Sequence, residues 1–276
     1  MRIGVNLTSI GVPAAWWLDT ARLLESAGFS GVWCWDHFVS RGRLSDPVLE
    51  CWSILGAAAA RTERIHVGSF VSNVMNRHPQ VLARTAATVQ ELSAGRLELG
   101  IGIGGHPAEH LAYGIDFPAP AERSARLTEA VEVLRRLWTG GPVDFEGRFY
   151  RLTGAHAYPR PDPPPRIVVG GEKPAGARLA ARVGDAWATN GPRLAELMPS
   201  FRAALQDARR ERQQVAVLAT VELERGVPPG RQPLLVDLLG EAERWCELGA
   251  DELVIHWVRP RDIPGLLAAA ERASLS

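Results

Sequence analysis

A single lysine, Lys173, stands against thirty arginines in 276 residues, and basic and acidic side chains balance at a formal net charge of zero. Without an excess of either sign there is no electrostatic footprint for nucleic acid or for an anionic membrane surface. The three cysteines, Cys34, Cys51 and Cys246, are odd in number and scattered. That argues against a disulfide framework and for a reduced, cytoplasmic setting. No apolar run approaches the roughly 20 residues that cross a bilayer, and no basic-then-apolar leader opens the chain. Internal repeats, low-complexity tracts and interdomain linkers are absent too. What is present is 46% hydrophobic residues, enough for one sizeable core in a chain of ordinary length for a single α/β barrel.

The chain alternates short β-rich runs with amphipathic stretches. Arg2–Leu7, Gly31–Cys34, Ile65–Val71, Arg96–Ile101, Arg166–Val169, Asp185–Thr189, Gln214–Glu222 and Glu252–Trp257 read as strands. Ala14–Ala27, Pro47–Ala60, Pro79–Leu92, Ala121–Leu137, Ala175–Val183, Leu194–Arg212, Leu234–Leu248 and Ile263–Ala273 read as the helices that follow them. Gly28 supplies a helix stop and Pro79 a helix start. Eight β-then-α units predict one (β/α)8 TIM barrel, an α/β fold, as a single domain over residues 1–276. Gly140–Pro165 breaks the alternation. Asp144–Tyr150 reads as a hairpin with a Gly147 turn, followed by a proline-rich run, and the whole as a short excursion between helix 4 and strand 5 that covers the mouth or the rim.

Chemistry in such a fold sits at the carboxyl ends of the strands. The stretch Val32-Trp33-Cys34-Trp35-Asp36-His37-Phe38 places an acid and an imidazole there, and its plainer reading is a surface pair in a loop. Gly100-Ile101-Gly102-Ile103-Gly104-Gly105 matches G-x-G-x-x-G, but Pro107 and a long loop follow where a helix should start, so a dinucleotide site is disfavoured. The glycines instead say that backbone comes close to something flat or bulky. His106-Pro107-Ala108-Glu109-His110 matches H-x-x-E-H; zinc needs a third protein ligand that no nearby pattern supplies, so no metal is expected. Val169-Gly170-Gly171-Glu172-Lys173-Pro174 ends a strand at a helix start, which suits a bound phosphate or a plain turn.

Taken in order, Asp36-His37-Phe38, Arg77-His78-Pro79, Ser93-x-Gly95-Arg96-Leu97-x-Leu99-Gly100-x-Gly102, Glu109-x3-Tyr113-Gly114, Val169-Gly170-Gly171 and Gly184-Asp185-Ala186-Trp187 resemble the bacterial luciferase-like flavin and deazaflavin oxidoreductases, most nearly their F420-dependent branch. The resemblance implies an enzyme that moves a hydride between C5 of the deazaflavin F420 and a small organic substrate. The alternative on the same fold is an FMN-dependent monooxygenase using reduced flavin and O2; a flavin-binding barrel without turnover is a third reading.

The resemblance also implies roles. Asp36 would bond the deazaflavin ring, and His37 would act near C5 as proton donor or charge stabiliser. A non-proline cis peptide at Phe70–Val71 would back the ring, and Asn73 would meet its polar edge. Backbone at Gly170, Gly171 and Glu172 would hold the phosphate. Trp35, His106, Glu109, Asn190 and Arg193 are substrate-side or loop candidates, Arg193 facing an anionic tail or substrate. Trp33 is read with Trp35 as shaping the pocket, whereas Trp257 is read with the remaining tryptophans as structural. Gly105 stands where sugar-phosphate dehydrogenases of this branch carry a catalytic glutamate, and their phosphate-binding lysines have no counterpart. A homodimer through the alanine-rich segments Ile54–Ala60 and Ala83–Leu92 is implied as well.

Overall fold

The computed structural model describes residues 1–40 and 42–275. Eight parallel strand positions close into a barrel: β1 (Arg2–Leu7), β2 (Gly31–Cys34), β3 (His66–Ser69) continued by β4 (Ser72–Asn73), β5 (Leu97–Gly102), β8 (Arg166–Gly170), β9 (Ala186–Asn190), β10 (Ala216–Glu222) and β11 (Glu252–Val258). The β3–β5 pairing completes the ring. The main surrounding helices are α1 (Ala14–Ser26), α2 (Cys51–Ala59), α3 (Pro79–Leu92), α5 (Pro120–Leu137), α6 (Pro174–Val183), α7 (Leu194–Asp207), α9 (Leu238–Glu247) and α10 (Ile263–Arg272), with short α4 (Pro107–Ala112) and α8 (Pro233–Val236) between. No helix among the described residues is long and apolar enough to cross a membrane.

Alternation along the strands builds two cores. Outward residues such as Val5, Leu7, Val67, Leu99 and Ile255 pack under the helices. The inward set contains Trp33, Phe70, Val168, Ala186, Ala188, Leu218 and Val254. Trp33 is 1% exposed and fills the lumen: a Cβ on Gly4, Gly31 or Gly68 would lie 2.1, 2.5 or 2.7 Å from its ring. One indole thus takes space that three neighbouring strands leave vacant. Trp33 is therefore core, and the expectation that it shapes the pocket is corrected.

Below it, at the amino ends of the strands, inward Glu98 and Glu252 share Arg2 and Arg166 at 2.6 to 3.3 Å. Burial and then the neighbouring Glu98 charge raise the Glu252 carboxyl above its ordinary range, against the pull of both arginines. This charged plug closes the floor, so the open end is the carboxyl end.

Several boundaries differ from expectation. The second helix begins at Cys51, because the Glu50 side chain caps it by accepting from the Trp52 and Ser53 N–H and Val48 is drawn into a bridge with Ile10. Asp237 likewise splits the Leu234–Leu248 segment by capping α9. The hairpin forms as β6 (Val143–Glu146) and β7 (Arg151–Ala155). It reaches the rim, where Tyr150 lies against His78 at the start of α3. Glu129 of α5 accepts from the Arg148, Phe149 and Tyr150 N–H, and Gln90 of α3 donates to the Pro163 carbonyl, so the excursion braces the outside of the barrel. In the alanine-rich segments Ala58, Ala83, Ala86 and Ala87 face inward and are fully buried, whereas Ala60 and Leu92 are exposed.

Candidate active site

The segment after β2 delivers three consecutive side chains to three places. Trp35 keeps the inward register of Trp33 and stays at the mouth, 6% exposed. Asp36 is buried and both its oxygens accept from Arg77, at 2.6 and 3.0 Å; Arg77 also meets Glu50 at 2.8 Å. His37 points its Nδ1 at Glu109 Oε2, 3.0 Å away. After β3 the Phe70–Val71 peptide is cis, as the resemblance implied.

The bulge at Phe70–Val71 explains the glycine motif. A Cβ on Gly100 would lie 1.9 Å from the Ser69 carbonyl oxygen, and one on Gly102 or Gly170 would lie 2.9 Å from the Val71 side chain. The close, bulky neighbour that these glycines admit is the chain's own bulge, not a dinucleotide.

Glu109, on α4, is almost wholly buried and ties two loops together. Its Oε2 accepts from His37 Nδ1 and from the main-chain N–H of Phe38 and Val39, at 2.9 and 3.4 Å. Burial alone would raise this carboxyl. The bond from His37, that ring's charge and the two N–H groups outweigh it and hold the pKa below the ordinary value. A carboxylate only accepts, so the hydrogen between them resides on His37 Nδ1, which leaves Nε2 as the nitrogen that can take up or give a proton.

Aromatic rings wall this histidine. Trp35 lies 3.8 Å from His37 and 4.9 Å from Trp257 between ring centroids, and His37 lies 5.9 Å from His106. His256 stands 5.8 Å from Phe70 and 5.5 Å from Trp257. Two adjacent strand residues normally face opposite sides. Here a bulge intervenes: Val5 pairs Ile255 but Leu7 pairs Val258, an extra residue in β11, and Trp257 adopts φ +60°. His256 and Trp257 therefore both join the mouth. The general preference of tryptophan for cores made Trp257 structural, and only the register shift between β1 and β11 reveals it at the mouth. Asn6, in register with Trp33 and with its Nδ2 buried without a partner, was not among the expected residues.

Other expected residues are placed differently. The Asn73 amide is engaged inside the protein, donating to Asn76 Oδ1 at 3.0 Å, meeting His110 Nε2 at 2.7 Å and accepting from Met75 N–H at 3.0 Å. It is turned into its loop rather than toward a ligand edge. Gly171 donates its N–H to the Ala188 carbonyl and accepts from Trp187 Nε1, while its Cα packs on Gly176, where a Cβ would lie 2.6 Å away. Gly170 is in β8, so neither glycine presents the loose turn N–H expected for a phosphate; their small size serves the helix packing. Glu172 gives its carbonyl to Arg193 Nη1 at 2.7 Å, and the rest of that guanidinium chelates Glu196 at 2.7 and 3.1 Å. Asn190 ends β9 half-buried. His106 precedes α4 and lies 3.9 Å from Glu109 Oε2.

A (β/α)8 barrel with a carboxylate-held imidazole and an aromatic wall at its open end is the class this geometry defines. The chain belongs to the luciferase-like monooxygenase family, whose model matches residues 2–223. It is 33% identical over 211 residues to the F420-dependent glucose-6-phosphate dehydrogenase of Nakamurella multipartita, covering 74% of this chain and 62% of that protein. It is 35% identical over 221 residues to the enzyme of that name from Intrasporangium calvum, covering 77% and 66%. The match thus spans less than two thirds of those relatives' own length. An F420-dependent secondary alcohol dehydrogenase solved with an F420–acetone adduct superposes with a TM-score of 0.86 over 100% of both chains at 21% identity. The monooxygenase RslO1 of Streptomyces bottropensis superposes with a TM-score of 0.75 at 24% identity over 98% of both chains. At those identities the likeness is one of fold.

Proposed function

We propose that the protein is an F420-dependent oxidoreductase that interconverts a small alcohol and its carbonyl compound at the open end of the barrel. The observation that carries this reading is the His37–Glu109 pair, an imidazole whose tautomer is set by a buried carboxylate. Support comes from relatives named for F420-dependent dehydrogenation.

The residues at the mouth suit a planar tricycle with polar edges. Phe70, Val71, Trp35 and His256 offer flat or apolar surface, and the orphaned Asn6 Nδ2 is a buried donor in want of an acceptor. When bound, F420 supplies or takes up a hydride. The chain's own part is positional and acid–base. Trp35 fixes the plane of His37; Glu109 fixes its tautomer. In the oxidation direction Nε2 accepts the hydroxyl proton of the substrate, and in reduction it returns a proton to the carbonyl oxygen. Asp36, whose oxygens are held by Arg77, is a positioning residue that pins the strand end from which His37 projects. A single domain, a homodimeric state and a cytoplasmic location belong to this reading.

The test is a titration of the protein with F420 and with FMN, followed by tryptophan fluorescence. Tight F420 binding and alcohol-dependent F420 reduction, lost in His37→Ala with binding kept, is the expected result. Tight FMN binding without F420 binding would move the chain to the monooxygenase reading that the family's name keeps open.

A further inference from the structure

We infer that His37, His106 and Glu109 together bind one zinc-like divalent transition-metal ion. The H-x-x-E-H run at His106–His110 offers two ligands and wants a third, and the fold supplies it from 72 residues away. It also removes the run's second histidine. His110 is buried, with its nitrogens 2.7 Å from Asn73 Nδ2 and 3.0 Å from the Asp116 carbonyl, whereas His37 from the β2 loop takes its place beside His106 and Glu109.

Ligand atoms of these three residues all lie within 4.8 Å of one another. His37 Nδ1 and His106 Nδ1 stand 3.0 and 3.9 Å from Glu109 Oε2. Those separations bracket the ~3.4 Å edge of a tetrahedron whose metal–ligand bonds are ~2.1 Å. Glu109 is nine-tenths buried and more, and its Oε1 has no partner. The carboxylate is already held in orientation by the Phe38 and Val39 N–H, and the His37 ring by Trp35; such outer contacts preorganise metal sites. Two imidazoles and a carboxylate with a fourth position open form a donor set for zinc, and are too nitrogen-rich for magnesium or calcium. Binding moves the ring hydrogen of His37 from Nδ1 to Nε2, the tautomer whose Nδ1 lone pair can meet the metal. An ion held there withdraws His37 from proton transfer, so zinc inhibits the enzyme; that consequence, unlike the binding itself, rests on the function proposed above.

The experiment is a Co2+ titration of the full chain, read by visible absorption and by displacement with Zn2+. One equivalent is expected. The band should vanish in His37→Ala and in both His106→Ala and His106→Gln, and persist in His156→Ala, which alters an exposed histidine just after the hairpin. Circular dichroism of each variant separates a lost ligand from a lost fold. No binding by the parent chain, or binding undiminished in either folded His106 variant, overturns the site. F420 titration of the same samples is independent: Co2+ binding without F420 binding leaves the metal site standing and sinks the oxidoreductase reading, and the reverse outcome does the opposite.

Discussion

Glu109 and His37 are joined by a 3.0 Å hydrogen bond between side chains carried on two different β-to-α loops. The bond does two things at once. It selects the ring tautomer, and it locks the loop after β2 against the loop after β5 through the added N–H groups of Phe38 and Val39.

Replacing His37 by alanine should lower kcat for alcohol oxidation by about 10²- to 10⁴-fold, the range for loss of a positioned acid–base group. Glu109→Gln should cost less. With the carboxylate gone, His37 loses the acceptor that fixes its tautomer, so kcat should fall while F420 binding is kept. A kcat that stays in place would remove Glu109 from the mechanism.

The same carboxylate should mark stability. Its folded-state pKa lies below its unfolded value, so its contribution is present above the ordinary glutamate pKa of about 4.3 and is lost as pH falls through the lowered one. Denaturant melts of parent and Glu109→Gln should differ most near neutrality and converge as pH falls through that lowered pKa.

Gly4→Ala sets a Cβ 2.1 Å from the Trp33 ring and should destabilise by about 1–3 kcal/mol, as overpacking does. Trp33→Leu in the same chain should recover part of that loss, because the two substitutions share one volume. A double-mutant cycle on urea midpoints measures the coupling; additive losses would show that the lumen does not transmit the clash.

Trp257→Gly removes a ring from the mouth and places the residue type most at ease at φ +60°. The fold should survive with a small change in Tm, while KM for the substrate rises more than kcat falls. Equal loss in both would assign Trp257 to the chemistry rather than to the wall.

Much of the fold was legible in the chain. Period-two runs and amphipathic stretches give the eight strand-and-helix units in order, and the hairpin with its Gly147 turn, because those signals are local. Boundaries moved where one side chain capped a helix, as Glu50 and Asp237 do; a single hydrogen bond decides such a boundary, and periodicity does not register it. The position of Asp36 and His37 just beyond a strand end and the cis bond at Phe70–Val71 were legible too, from residue types at strand ends and a resemblance to a family.

What the linear order could not hold is which partner each of these side chains takes. Arg77 claims Asp36, His110 and Asn76 claim Asn73, Gly176 claims the space beside Gly171, and Trp33 needs three glycines on three strands. An extra residue in β11 turns Trp257 to the mouth, and a contact across 72 residues makes His37 and Glu109 one unit. Strand and helix propensity act over a few residues and are written in the sequence. Registry, volume and the pairing of buried polar groups are settled only when the barrel closes, because closure alone brings distant loops within hydrogen-bonding distance and removes the water that would otherwise satisfy them.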